Sequence, residues 1–331
     1  MKRQGWCATL PALMVAASMA MIAPARPADA LEHVTVRLDW LPRAYQSTLY
    51  LALKEGYYKD EGLDVEILDG KGTLATIQAI AGGSDTIGMA SLADTAVAVT
   101  KGIPVVAIAC IIQKDPDSIV SVQGSGIHKP TDIEGKRMGF VPASNADRAF
   151  KAFVVATHID MSKVTTVQLG AATNIPMLLA GNVDFIAAWA STDALRVEQQ
   201  KPIEQPIVFA DYGVNTLATG LIVTRETAEK NGDMLRKFLA ATVHAADEAA
   251  KNPDSAIDAI LDARPGQDRA TLIKENNLTQ QFLQTPNSKG HGFGWMAPAD
   301  WAQTVDLLKK YSNMPDVDVS TLYTDKFLPK Q

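Results

Sequence analysis

The sequence predicts an α/β protein of two lobes that enclose a cleft. Strand-like and helix-like segments alternate from residue 34 to about residue 223, a pattern typical of mostly parallel sheets covered by helices. After that point the sequence is mostly helical to its end. About 300 residues follow the N-terminal apolar segment, which is long for a single hydrophobic core. We therefore expect two lobes joined by two extended crossings, which would act as a hinge around the cleft.

The first thirty residues have the three parts of a secretory signal peptide. Two basic residues precede an apolar run over residues 10–23, and a small-residue pattern ends at Ala30. The apolar run of roughly 14 residues is shorter than the ~20 that a membrane-spanning helix needs. We expect residues 1–30 to be cleaved after Ala30, or alternatively after Ala25, and the mature protein to be exported to the periplasm.

The first α/β cycle covers residues 34–112. Its helices carry apolar residues at helical spacing, and Gly56 and Gly102 are suited to end two of them. Ser91 and Asp94 have the spacing of a capping box, with Asp in place of the usual Glu. The predicted strands are 34–40, 64–69, 86–90 and 105–112, and the predicted helices are 45–55, 74–82 and 91–102.

The second cycle begins near residue 136, after one more apolar strand. A helical tail that follows two α/β cycles packs most economically on the first lobe, which would make the middle segment an insertion. The predicted strands are 118–122, 136–141, 164–169, 183–189, 206–210 and 217–224, and the predicted helices include 147–158, 175–181 and, in the tail, 238–252 and 297–311.

Charge and cysteine content exclude several classes of protein. The chain has 31 Lys and Arg against 37 Asp and Glu, a formal net charge of −6; loss of the signal peptide removes three basic residues and one acidic residue, which gives −8. Because no basic run is present, we expect no nucleic acid as partner. Cys110 is the one cysteine of the mature chain, so it cannot form an internal disulfide, and its apolar neighbours favour a buried side chain over a catalytic thiol.

Five strand-to-helix turns are the candidate binding positions, because ligands of open α/β sheets bind beyond the carboxyl ends of the strands. Their aromatic rings, hydroxyls, amides and basic groups suit a small planar or apolar molecule with polar edges. Each feature also has a structural alternative: the tryptophans could belong to the lobe cores and the serines could only cap helices. The turns are Trp40 to Gln46, Gly70 to Thr73, Ser91 to Asp94, Pro142 to Asn145 and Ala188 to Ser191.

Enzymatic motifs are scarce in the sequence. The five histidines have no paired spacing, so no metal-site pattern is present, and there is no G-x-S-x-G, P-loop or C-x-x-C. We therefore expect a binding protein without enzymatic activity, metal or cofactor. An exported enzyme on the same scaffold remains the alternative from another class.

The order of several segments resembles one family. "RLDWLPRAYQSTLYLALKEGYYKDEGLDVEI", "AIAGGSDTIGMASLADTAVAVTKGIPVVAIACI", "DIEGKRMGFV", "LLAGNVDFIAAW" and "GFGWMAPADWAQTVDLL" are similar to the NMT1/THI5-like solute-binding proteins of ABC importers. This group includes binders of sulfonates, taurine, nitrate and thiamine-pyrimidine precursors. The resemblance covers essentially all of residues 34–310.

The resemblance implies a type II periplasmic binding protein, a two-lobed fold that closes on its ligand. Lobe I would comprise residues 31–117 and 218–331, and lobe II residues 118–217. The protein would be a monomer that captures a small aromatic or heteroaromatic solute, with a carboxylate or sulfonate as an option, and delivers it to an ABC permease. The expected ligand-binding residues are Trp40, Arg43, Gln46, Gly72, Thr73, Ser91, Leu92, Ser144, Asn145, Thr173, Trp189 and Asn215.

One motif distinguishes ligand classes within the family. Pyrimidine-precursor binders often carry D-W-x-P-N-x-x-H, and here Arg43 replaces the asparagine and Gln46 replaces the histidine. An arginine at this position can hold a carboxylate or sulfonate bidentately. A pyrimidine-precursor binder remains the alternative within the family. The yeast-type synthases of the group use a cysteine-rich metal motif, which one mature cysteine does not supply.

Overall fold

The computed structural model describes residue 1, residues 30–142 and residues 144–330. The predicted signal peptide falls on residues 2–29, outside the described residues. Among the helices that are described, none combines the length and apolar character needed to cross a membrane.

Strands and helices alternate as the sequence predicts. The strands are β1 (Glu32–Arg37), β2 (Leu63–Leu68), β3 (Ile87–Ser91), β4 (Val105–Ile112), β5 (Asp117–Ser121), β6 (Arg137–Phe140), β7 (Thr165–Gln168), β8 (Phe185–Trp189), β9 (Ile207–Val208) and β10 (Thr219–Thr224). The helices are α1 (Ser47–Lys54), α2 (Tyr57–Asp60), α3 (Thr73–Ala81), α4 (Leu92–Thr100), α5 (Asn145–Ala156), α6 (Asn174–Leu179), α7 (Asp193–Glu198), α8 (Arg225–Lys230), α9 (Gly232–Lys251), α10 (Pro253–Ala263), α11 (Arg269–Thr279) and α12 (Pro298–Ser312).

Two five-stranded sheets form the centres of the two lobes. The first has the order β2-β1-β3-β10-β4 and the second β7-β6-β8-β5-β9. In the first sheet β10 pairs antiparallel with β3 and β4, whereas the other four strands run in one direction. In the second sheet β5 is the antiparallel strand, between β8 and β9. The prediction of α/β lobes with mostly parallel strands is confirmed.

The two antiparallel strands are the ones that the chain enters after crossing between sheets. It leaves the first sheet at Ile112 and enters the second at Asp117. It leaves the second sheet at Val208 and returns to the first at Thr219. Each of these strands runs antiparallel to both of its neighbours in the sheet. The lobe boundaries at residues 117/118 and 217/218 stay a prediction.

The burial pattern of each strand follows its place in the sheet. β4 is buried at all eight positions, as expected for a strand covered on both faces, whereas β2 alternates buried and exposed residues. Helices α9 and α10 pack on α1, and α12 packs on α4. The C-terminal tail therefore packs on helices that flank the first sheet. Helix α12 also contacts α5 of the second lobe.

Some predicted boundaries differ from the structure. The strand predicted over 206–210 is limited to β9, because residues 209–212 form a 3-10 turn. The strand predicted over 34–40 ends at Arg37, although the Leu38 amide still donates to the Leu68 carbonyl. The helix predicted from residue 147 begins two residues earlier, because the Ser144 hydroxyl caps it by accepting from the Asp147 amide.

Candidate ligand-binding site

A cavity of about 480 Å³ lies where strands of both sheets end. The first lobe contributes turn residues after β1 and β2, such as Trp40 and Thr73. The second lobe contributes Ser144 at the start of α5 and Trp189 at the end of β8. The cavity is therefore an interlobe cleft at the carboxyl edges of the strands, where the sequence places its candidate turns.

The turn that presents Trp40 is fixed by backbone contacts to the next turn. The carbonyl of Trp40 accepts from the Gly70 amide at 3.1 Å, and that of Asp39 accepts from the Gly72 amide at 2.9 Å. A Cβ atom at Gly70 would lie 2.1 Å from the Leu38 carbonyl oxygen, so only glycine allows this approach. The Trp40 side chain lines the cavity, and the residue is 44% exposed. A large aromatic surface is thus available to a ligand.

Asp39 is held beneath this turn by two donors. The Tyr45 hydroxyl donates to both carboxylate oxygens at 3.1 and 3.0 Å, and Gln46 Nε2 donates to Oδ1 at 2.7 Å. Burial outweighs these hydrogen bonds and raises the pKa of Asp39 to about 6. Gln46 Oε1 accepts from the Arg43 amide at 2.7 Å. Gln46 is fully buried and lies behind the cavity wall rather than in it.

Arg43 lines the cavity but faces a buried acid. Its Nη1 lies 4.0 Å from Oε1 of Glu275 on α11, whose side chain is 1% exposed. Burial raises the pKa of Glu275, and the charge of Arg43 opposes that rise. The arginine therefore has an acidic neighbour behind the wall, at a distance longer than a hydrogen bond.

Two serines cap the helices that start at the cleft. Ser91 Oγ accepts from the Asp94 amide at 3.2 Å, and Ser144 caps α5 in the same way. The capping box predicted at Ser91 is half formed, because the Ser91 amide donates to Thr73 Oγ1 at 3.1 Å instead of to Asp94. Ser144 lines the large cavity, and Ser91 lines a smaller one of about 50 Å³ beyond it.

Aromatic and charged contacts join the two lobes at the cleft. The Trp189 ring lies 5.6 Å from the Tyr45 ring, centroid to centroid. Arg148 Nη2 on α5 lies 2.5 Å from Asp94 Oδ1 on α4. Burial raises the pKa of Asp94, whereas the guanidinium beside it acts to lower that pKa. Contacts between protein groups therefore bridge the two lobes at the cleft.

A buried carboxyl pair lies next to this ion pair, at the first crossing. Asp117 lines both cavities, and its amide donates to Asp115 Oδ1 at 3.0 Å. Burial and the neighbouring Asp115 charge hold the pKa of Asp117 well above its usual range. The Asp115 amide donates to Asn215 Oδ1 at 2.8 Å, and Thr216 Oγ1 donates to the Asp115 carboxylate. The acid pair thus ties the two crossings together.

The structure brings most of the sequence-predicted residues to the cleft. Leu92 is buried in the core of the first lobe, Thr173 exchanges hydrogen bonds with Gly170, and Asn215 binds the crossing. In the part of the chain that the structure describes, neither cavity is lined by any of these three residues or by Gln46. The predicted residues that do line a wall are Trp40, Arg43, Gly72, Thr73, Ser91, Ser144, Asn145 and Trp189.

Sequence reasoning missed Asp117 and Arg148 at the inner end of the cleft, and it named Asp94 only as part of the third candidate turn. Arg148 lies four residues after the cap Ser144, so helical spacing alone would have placed it on the same face. Asp117 is an acid at the start of a buried apolar strand. Because a buried charge is costly, an acid at such a position is itself a signal of a functional residue. Its proximity to Asp94 follows only from the arrangement of the two lobes.

No metal-binding group emerges from the described part of the chain: three or more His, Cys, Asp or Glu side chains do not converge in it. Cys110 is buried in β4, and burial is the first cause that holds the pKa of its thiol well above the usual range. This environment favours the protonated thiol over the thiolate that a nucleophile needs.

Comparison with known proteins identifies related chains. A family profile described as NMT1/THI5 like matches residues 43–256. The formylaminopyrimidine-binding protein of Halalkalibacterium halodurans is 25% identical, over 85% of this chain and 86% of that one. The 4-amino-5-hydroxymethyl-2-methylpyrimidine phosphate synthase THI13 of Saccharomyces cerevisiae is 22% identical, over 90% and 88%.

A solved structure shows the same fold. The periplasmic aliphatic sulphonate binding protein SsuA of Escherichia coli superposes with a TM-score of 0.70 and 16% identity, covering 88% of this chain and 91% of that chain. The fold is therefore that of two-lobed type II periplasmic binding proteins, as the sequence predicts.

Proposed function

Because the chain belongs to the NMT1/THI5-like family, we propose that it is a solute-binding protein that captures a small aromatic or heteroaromatic compound between its lobes. The observation that carries this proposal is the cleft of about 480 Å³ whose walls come from both lobes. Small-molecule pockets usually measure ~300–1,000 Å³. Contacts that a ligand makes with both lobes favour the closed state only while the ligand is bound. Closure is how a binding protein signals that its site is occupied.

The aromatic walls support a planar ligand. Trp40 offers an exposed ring on the first lobe, and Trp189 lines the cavity from the second. A ring held between two tryptophans gains offset stacking beyond its area burial. A pyrimidine fits this description, and one relative is named for binding formylaminopyrimidine.

The transport role is proposed from the same family. Two-lobed relatives include a periplasmic sulphonate binding protein. We infer that this chain, exported by its signal peptide, works as a monomer in the periplasm and hands its solute to an ABC permease. An interaction assay between the solute-loaded protein and ABC permeases of the same organism tests this step.

Identification of the bound compound tests the binding role. Native mass spectrometry of the purified protein is expected to show an extra mass of one small solute, which denaturing conditions release. A thermal-shift screen of pyrimidines, aromatic carboxylates, sulfonates and taurine is expected to find compounds that raise the melting temperature. A protein that carries no solute and is stabilised by none of these classes contradicts the proposal.

A synthase is the second candidate, because a synthase from yeast aligns with 90% of this chain. The synthase hypothesis predicts that the bound compound is changed chemically by the protein. Prolonged incubation with the identified solute, followed by mass spectrometry of the mixture, separates the two functions: a binder returns the compound unchanged.

A further inference from the structure

The inner end of the cleft has hydrogen-bond acceptors without donors. Asp94 Oδ2, Asp117 Oδ1 and Asn174 Oδ1 are buried and have no hydrogen-bond partner among the described residues. All three side chains line the cavity of about 480 Å³. Asp94 is 7% exposed and Asp117 is 2% exposed, so solvent has little access to either. Buried acceptors are costly to leave unpaired, and a ligand with N–H groups would supply what they lack.

The arginines of the same wall already have acidic partners. Arg148 binds Asp94 Oδ1 at 2.5 Å, and Arg43 lies 4.0 Å from Glu275. Arg196 lies 3.7 Å from Asp193, and both of these residues line the cavity. Lys71 also lines the larger cavity, but among the described residues Arg148 is the basic residue that lines both cavities, and it is bound to Asp94. The inner end therefore presents unpaired acceptors beside a cation that is already paired, which disfavours an anionic head group there.

The two acids line the cleft from elements of different sheets. Asp94 lies in the first turn of α4, and Asp117 begins β5 of the second sheet. Both also line the smaller cavity of about 50 Å³ that adjoins the cleft. A cavity of this size has room for one or two water-sized groups, since water occupies ~30 Å³ in the liquid. A compact head group fits there, with its ring in the larger cavity.

We propose, building on the solute-binding function above, that this inner end is a subsite for a cationic or N–H-rich head group, such as an amidine or an amino group on an aromatic ring. Asp94 Oδ2 and Asp117 Oδ1 accept its hydrogen bonds, one beside each sheet, and a cationic head group lowers the pKa of Asp117 so that its carboxyl is ionised in the complex. Bonds between a charged donor and a carboxylate are about twice as strong as neutral ones. The head group thus fixes which end of the ligand points into the inner end of the cleft, and it adds contacts that join the two lobes.

Three matched probes test the polarity of the subsite. Benzamidine, benzamide and benzoate share one ring and nearly one shape, and their head groups are positive, neutral and negative. Calorimetric titration of protein freed of solute by unfolding and refolding gives a Kd for each. Benzamidine is expected to bind tightest, by about tenfold over benzamide, and benzoate weakest.

The Asp117→Asn variant tests the residue. It is expected to weaken benzamidine binding by about tenfold and to leave benzamide binding within about twofold, because only the charged donor needs the carboxylate. Asp262→Asn is the matched control, since it removes one negative charge from an exposed pair with Lys54. Circular dichroism and a melting curve establish that both variants are folded.

Three results would overturn the subsite: benzoate binding as tightly as benzamidine, benzamidine binding unchanged in Asp117→Asn, or no benzamidine binding at millimolar concentration. The solute found by native mass spectrometry separates this failure from that of the parent function. If the wild-type protein carries a solute but fails the probe test, the binding function stands and the subsite proposal is contradicted. If the protein binds neither a solute nor a probe, both the binding function and the subsite are contradicted.

Discussion

Nη2 of Arg148 lies 2.5 Å from Oδ1 of Asp94, and this ion pair ties the second lobe to the first across the cleft. Asp94 is 7% exposed, so the pair is weakly screened by solvent. The two lobes are therefore joined by a protein contact across the cleft, in addition to any contact that a ligand makes. A ligand that bridges the lobes adds to this contact.

Removal of the ion pair is expected to open the unliganded protein. Arg148→Gln leaves Asp94 without its cationic partner, and loss of a charge-assisted bond costs about 1–3 kcal/mol, which shifts the lobe equilibrium toward open. Small-angle X-ray scattering of solute-free protein should show a larger radius of gyration. Lys54→Gln, which removes an exposed pair within the first lobe, should leave it unchanged. Equal radii for wild type and Arg148→Gln would show that the pair does not set closure.

Gln46 is expected to act through Asp39 rather than through the ligand. Gln46→Ala removes a 2.7 Å bond to Asp39 Oδ1 and leaves the Arg43 amide without its acceptor. The cost is about 1–3 kcal/mol of unfolding free energy, measured by urea denaturation, with a smaller change in ligand affinity. Gln281→Ala, at an exposed position, is the control. A large loss of affinity at unchanged stability would place Gln46 in contact with the ligand.

Asp39 is expected to make stability depend on pH. Its pKa is about 6 in the folded protein against an ordinary value of 3.8, so the folded state keeps a proton that the unfolded chain releases. This contribution to the unfolding free energy is about 3 kcal/mol. It is fully present below about pH 4 and is lost as the pH rises through about 6.

Asp39→Asn removes that titration and keeps the side-chain shape. Between about pH 4 and pH 7, the unfolding free energy of the wild type should fall relative to that of the variant. Urea unfolding at a series of pH values measures the difference, with Asp262→Asn as the exposed control. Parallel profiles for wild type and Asp39→Asn would contradict the raised pKa.

Trp189 is expected to contact the ligand directly. Trp189→Ala should weaken binding of the native solute by about tenfold, whereas Trp189→Phe should keep much of it, because a ring still stacks. The measurement is the change in Kd by calorimetry. Trp295→Phe serves as a tryptophan control, since Trp295 stacks on His291 and does not line the described cavities. Unchanged affinity in Trp189→Ala would assign this ring to lobe contact with Tyr45 alone.

The secondary structure could be predicted well because its signals are local. β4 occupies the predicted residues 105–112, and Ser91 and Ser144 cap helices as their positions indicate. The turns at the cleft follow from strand ends for the same reason. The positions of Leu92 and Thr173 after strand ends predict ligand contact, but the direction of a side chain depends on packing that the sequence pattern does not specify.

By itself the sequence determined the α/β alternation and the strand-to-helix turns, because hydrophobic period and turn residues act over a few positions. Only the tertiary structure decided the electrostatics of the site. Arg43 meets Glu275 across 232 residues of chain, and Asp94 meets Arg148 across 54. Such pairs form when distant segments fold together, and their burial then sets the pKa values and the acceptors that a ligand encounters.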